Sequence, residues 1–215
     1  MPASLAEADG FPPGPAVVVV QEWWGLDAHI QDVAGRFAAE GFTALAPDLF
    51  RGEQPEEPDE ARKLVMELDW PQTLAALEAS VGWLLDRGAA AVGAVGFCMG
   101  GSLVWALAHR DERLSAAVPF YGASAGEGGE LRCPLMAHFG ANDHSIPPEK
   151  IETIRRHLEE QRYAHQIFVY EGAGHAFFND TRDSYRPEAA ALAWERTLEF
   201  LRNELGAFDR VGNEG

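Results

Sequence analysis

Two hydrophobic rhythms alternate along the chain. Continuous apolar runs occur at "PAVVVVQE", "FTALAPDL", "AAAVGAVGF", "LSAAVPFYG", "CPLMAHFG" and "HQIFVYEG". Short runs of this kind, bounded by Gly, Pro or polar residues, read as strands buried on both faces. Between them the apolar positions recur at helical spacing. Ile30, Val33 and Phe37 share the face of a helix that Asp27 can cap and Gly41 can end. A short helix is expected over 59–69, and Trp70-Pro71 starts another with a stripe of Leu74, Leu77, Val81 and Leu84 that stops at Gly88. A helix follows Cys98, Pro147-Pro148 opens a further one through Ile151, Ile154 and Leu158, and Trp194, Leu198, Leu201 and Leu205 give the last its buried face. Strands alternating with helices predict an α/β fold, a mostly parallel sheet covered on both sides. Residues 1–14 are small, polar and rich in Gly and Pro, and read as a loose arm; 15–206 form a single α/β domain and 207–215 a frayed tail.

In such sheets ligands bind in the crevice beyond the carboxyl ends of the strands. Glu22, Asp48, Cys98, Tyr121, Asp143 and His175 follow the six runs, a polar and titratable set. Cys98 lies in "GFCMG", which fits the strand-turn-helix elbow G-x-S-x-G with sulfur in the nucleophile position. The turn leaves no room for side chains around Gly96 and Gly100, and at a helix start the thiol faces unpaired N–H groups that favour thiolate. The Met99 N–H then points to where an oxyanion would form. A phosphate loop is excluded because Gly101 stands where Lys is required, and the dinucleotide fingerprint is absent because residue 98 is not Gly. A small buried cysteine at a tight junction remains the bland reading of this stretch.

An elbow nucleophile needs a base and an orienting acid, in the chain order nucleophile, acid, histidine. Asp143 in "FGANDHSIP" and His175 in "YEGAGHAF" supply that order. A metal site is not expected, since His138, His144 and His175 form no compact ligand cluster. His29, His109 and His157 fall on helices and are expected in solvent, His138 in the core or lining a site, Asp180 and Asp183 in turns, and Cys133 as an inert thiol. Glu22, at the end of a central strand, could accept the thiol hydrogen bond and keep Cys98 protonated until a substrate displaces it.

The 215 residues carry a net charge of −17, which argues against nucleic acid because phosphate binding needs clustered Lys and Arg. No apolar run approaches the ~18 residues of a membrane span. The start "MPASLAEADG" lacks the pattern of a secretory signal, and two cysteines make no disulfide framework, so a cytoplasmic protein is expected.

At "VVVVQEWWG", "PDLF", "GFCMGG", "GANDHSIP", "GAGHAFFN" and "AWERTLEFL" the sequence resembles the dienelactone hydrolase family of the α/β-hydrolase fold, over about residues 15 to 205. The resemblance implies a triad of Cys98, His175 and Asp143, a thiol-regulating Glu22, and an oxyanion hole shared by the Trp23 and Met99 N–H groups. It also implies hydrolysis of a small ester or lactone through a thioester, with no metal or organic cofactor. Two departures concern the substrate. Asn179 stands where the family's substrate-binding arginine is expected four residues after the histidine, and the second arginine has no counterpart at Pro58. Arg62 lies one helical turn further on, with Arg51 and Arg182 as other substitutes. Tyr121, Asn179 and Arg62 are therefore expected to line the substrate site. The short N-terminal arm implies a sheet shortened at that edge. The reading that follows is a monomeric hydrolase of small carboxylic esters or lactones. The rival is a catalytically silent scaffold that binds a small ligand or senses oxidants through Cys98.

Overall fold

Seven strands build one sheet in the computed structural model, which describes residues 2–7, 14–123 and 129–206. The strands are β1 (Ala3–Ala6), β2 (Pro15–Val20), β3 (Thr43–Pro47), β4 (Ala91–Phe97), β5 (Leu114–Phe120), β6 (Leu135–Gly140) and β7 (His165–Tyr170). Their spatial order is β1-β3-β2-β4-β5-β6-β7, with every pair parallel except β1 against β3. The helices are α1 (Ala28–Ala39), α2 (Pro58–Glu67), α3 (Trp70–Asp86), α4 (Met99–Ala108), α5 (Pro148–Glu159) and α6 (Pro187–Glu204). The mostly parallel sheet is the one expected from the alternation of runs, and the whole is the α/β-hydrolase arrangement that the resemblance implies. No helix among the described residues is long and apolar enough to cross a membrane.

Strand periodicity divides the core. In β2, Ala16, Val18 and Val20 face one side while Val17 and Val19 face the other, as a two-residue repeat requires. The first side is covered by α3, α4 and α5 through Leu77, Val81, Leu103, Leu107, Ile154 and Leu158. The second is covered by α1 and α6 through Ile30, Val33, Phe37, Ala193 and Leu201. The caps follow the sequence: Asp27 accepts from the Ile30 N–H and Asp69 from the Gln72 N–H, both at 3.0 Å. Each satisfies an N–H that the first helical turn leaves without a partner.

The arm departs from expectation. Ala3–Ala6 forms β1, antiparallel to β3, with Ala3 opposite Pro47 and Ala6 opposite Ala44. Ala3, Ser4, Leu5 and Ala6 pair there with a strand that is fully buried along its length, so an edge strand forms where composition predicts a loose segment. The remainder of the expected arm at 8–13 and the expected tail at 207–215 lie outside the described residues.

Candidate active site

The carboxyl ends of five parallel strands converge on one cluster. Glu22 follows β2, Cys98 follows β4, Tyr121 follows β5, Asp143 follows β6 and His175 follows β7. Asp48, after β3, does not join them; it is buried and accepts from the Phe50 N–H at 3.1 Å, closing a local turn.

The elbow is built by crowding. Cys98 takes φ 54° and ψ −114° at the N-cap of α4, a left-handed conformation that a non-glycine residue adopts only when its surroundings enforce it. A Cβ on Gly96 would collide with the Gly100 carbonyl, and one on Gly100 with the Val20 carbonyl. Backbone therefore packs against backbone on both sides of the bend, and Cys98 is left half-buried rather than sealed in the core. Its backbone N–H donates to the Phe120 carbonyl at 3.1 Å, tying the bend to β5.

The sulfur meets the imidazole. His175 Nε2 lies 3.1 Å from Cys98 Sγ, and His175 Nδ1 lies 2.8 Å from Asp143 Oδ2. The other Asp143 oxygen accepts from the Ser145 N–H at 2.8 Å and the Ile146 N–H at 3.2 Å, so the carboxylate is held from both ends. A carboxylate only accepts, which places a proton on Nδ1 and directs Nε2 at the sulfur. Burial opposes charge on both partners. Hydrogen bonding and mutual attraction outweigh it, lowering the Asp143 pKa and raising that of His175 to about 10. A proton on His175 is thus well held at neutral pH.

Glu22 is almost fully buried, and burial raises its pKa against the hydrogen bonds it accepts. Tyr121 Oη donates to Oε1 at 3.0 Å and Asn179 Nδ2 donates to Oε2 at 2.7 Å. The expectation that Tyr121 and Asn179 line the substrate space is therefore corrected. Tyr121 is 1% exposed and Asn179 is fully buried, and each donates its side-chain hydrogen bond to Glu22. Arg62 is corrected too: it projects from α2 into solvent and pairs with Asp59 at 2.9 Å. The substitutes are engaged elsewhere, Arg51 with Gln72 and Arg182 over the Trp24 ring at 3.9 Å.

Met99 is the first residue of α4, a position whose N–H has no acceptor within the helix. Trp23 begins the turn after Glu22, and its ring packs edge-on against Trp24 at 5.1 Å. Among the described residues the Trp23 N–H has no protein acceptor. A cavity of about 710 Å³ lies at the end of β3, walled by Leu49, Phe50, Leu64, Leu68 and Gln72. Cys98, His175 and Glu22 are not among its walls.

Two histidines escape the sequence reading: His109, expected in solvent, is half-buried with both ring nitrogens shielded from it, and His29 departs further. His29, expected in solvent, is buried against Phe97 and Phe178, with Nδ1 3.1 Å from Asp180 Oδ1. Asp180 thereby anchors the segment that follows His175 onto α1. A buried position one residue before Ile30 was the available signal, since a helix face wide enough to take Ile30, Val33 and Phe37 reaches its neighbours. His138 and Cys133 lie in the core. His138 bonds Tyr170 Oη and Thr197 Oγ1 and is driven down to about 3 by burial, and burial pushes Cys133 up to about 12.

A parallel sheet of this order, with the cluster at its strand ends, defines an α/β hydrolase. The comparison with known proteins places it further. The model of the dienelactone hydrolase family matches residues 1–205, and the chain belongs to that family. It is 36% identical over 228 residues to the Escherichia coli K12 protein named "Putative carboxymethylenebutenolidase", an alignment covering 96% of this chain and 83% of the relative. A Synechocystis protein of the same name is 34% identical over 94% of this chain and 91% of its own length. Among solved structures, the "Putative Dienelactone Hydrolase" from Klebsiella pneumoniae superposes with a TM-score of 0.84 at 35% identity, covering 94% of this chain and 92% of that one.

Proposed function

We propose that the protein hydrolyses small carboxylic esters or lactones through an acyl-thioester on Cys98. The observation that carries this reading is the run of short contacts from Cys98 Sγ through His175 to Asp143, at 3.1 and 2.8 Å, on an elbow that holds the sulfur at the crevice. His175 Nε2 already holds the proton taken from the Cys98 thiol, and Sγ attacks the carbonyl carbon. The Met99 and Trp23 N–H groups take the developing oxyanion. The C–O bond to the leaving group breaks, and the departing oxygen takes the proton from His175 Nε2, leaving an acyl-thioester. In a lactone the released hydroxyl stays on the acyl chain. Water then attacks the thioester while His175 accepts one of its protons, and the C–S bond breaks to release the acid and restore the thiolate–imidazolium pair. Asp143 keeps the ring oriented and favours its charged form.

Neither Asn179 nor Arg62 offers a guanidinium to a substrate carboxylate, which supports a neutral acyl group over an anionic one. This function suits a small-molecule enzyme that needs no cofactor, in keeping with the cytoplasmic location expected from the sequence. Replacing Cys98→Ala should abolish turnover of short neutral esters while the circular dichroism spectrum and melting temperature stay close to wild type. Undiminished turnover in that variant would remove the mechanism.

A further inference from the structure

We infer that Tyr121 and Asn179 are positioning residues that lock the Glu22 carboxylate away from the sulfur, so that Cys98 is paired with His175 before any substrate arrives. The inference deepens the proposed mechanism and rests on it for the role of Cys98. It replaces a thiol waiting for release from Glu22 with one that is already assembled.

The geometry of the lock is complete on both oxygens. Oε1 takes the Tyr121 hydroxyl and Oε2 takes the Asn179 amide. The Asn179 amide cannot turn round, because its Oδ1 accepts from both the Thr181 N–H at 3.0 Å and the Thr181 hydroxyl at 2.7 Å. Nδ2 must therefore face Glu22. Tyr121 is held just as firmly. Its φ is 36°, a left-handed conformation in a bulky residue, and its backbone N–H donates to the His138 carbonyl at 2.7 Å. A strained backbone at this point persists because the fold overdetermines it, and its effect is to lay the ring 5.2 Å from that of His175 and aim the hydroxyl at Glu22. With both oxygens turned toward buried neutral donors, the hydrogen-bond partner of the sulfur among the described residues is His175.

The charged and titratable groups around this arrangement are few. His29 of α1 favours the Glu22 carboxylate and Asp27 opposes it, while Tyr121 and His175 face the sulfur and Asp143 faces His175. Without one of these donors the Glu22 carboxylate is free to turn toward the thiol, as a rival acceptor that keeps the proton on sulfur.

The test is the rate of Cys98 alkylation by iodoacetamide in the substrate-free protein, followed from pH 8 to pH 6 with the labelled peptide mapped. An ordinary thiol with a pKa near 8.5 loses about a hundredfold in rate over that range. The lock predicts a loss of no more than about threefold in wild type, since the ion pair keeps the sulfur as thiolate. Tyr121→Phe should slow alkylation at pH 6 about tenfold, equivalent to about one pKa unit. In a Glu22→Gln background the same Tyr121→Phe change should matter less than about twofold, because the effect runs through the carboxylate. Asn179→Ala repeats the cycle should Tyr121→Phe fail to fold. A hundredfold fall in wild type, or an equal loss in both backgrounds, would overturn the inference. Alkylation needs no substrate, so a protein that alkylates as stated yet hydrolyses no ester would reject the proposed function and leave the lock standing.

Discussion

Cys98, His175 and Asp143 illustrate how neighbours set the state of a side chain. The His175 imidazole is partly buried, and burial alone would make it harder to charge; the carboxylate on one nitrogen and sulfur on the other reverse that and carry it from 6.5 to about 10. The linkage has a definite sign. A raised histidine pKa contributes stability that is fully present below 6.5 and is lost as pH rises through about 10. The lowered Asp143 pKa contributes stability present above its ordinary 3.8 and lost as pH falls below that value. Urea denaturation of wild type and Asp143→Asn should therefore show the largest stability gap between about pH 4 and 6.5, narrowing in both directions. A gap that widens steadily toward pH 10 would mean that the pair is not charged in the folded protein. At this scale the sequence reveals less. That Cys98, Asp143 and His175 meet follows from their order and their places after strands, whereas the partners of Glu22 do not. Asn179 lies 157 residues from Glu22 and Asp180 lies 151 from His29, and nothing local marks either contact.

At the scale of elements, the elbow depends on how closely α4 approaches β2. The Gly100 position abuts the Val20 and Gln21 carbonyls, so Gly100→Ala must push the start of α4 off the sheet. The expected outcome is a loss of about 1–3 kcal/mol in stability from overpacking. Ester turnover should fall about a hundredfold, because a displacement near an ångström spoils nucleophile alignment. Denaturant titration and steady-state kinetics on the same preparation check both; near-normal turnover would show that the bend tolerates a side chain. Most elements are evident from the chain because their patterns are local. The stripe of α3 and the valine run of β2 identify themselves by spacing and composition. β1 does not, since "ASLA" carries no strong strand signal and gains its conformation only by pairing with β3, some forty residues away. Arg62 shows the opposite failure: one helical turn of offset was enough to aim it at solvent and Asp59.

For the molecule as a whole, the sheet acts as a frame that brings five distant segments to one end. No single strand holds the proposed site; Cys98 follows β4, His175, its proposed base, follows β7 at the sheet edge, and Asp143, the proposed orienting acid, follows β6 between β5 and β7. The frame was evident in the alternation of strands and helices, because a parallel sheet with its crevice at the carboxyl ends is the arrangement that alternation allows. The choice of substrate was not, because it depends on where long arginine and asparagine side chains end rather than on where they begin. The covalent step is the claim on which the account turns, and it is open to direct observation. Wild-type protein mixed with a short-chain chromogenic ester and quenched in acid within the first turnover should gain the mass of one acyl group, located by peptide mapping on Cys98. Full turnover with no such adduct, or an adduct mapped to another residue, would contradict it.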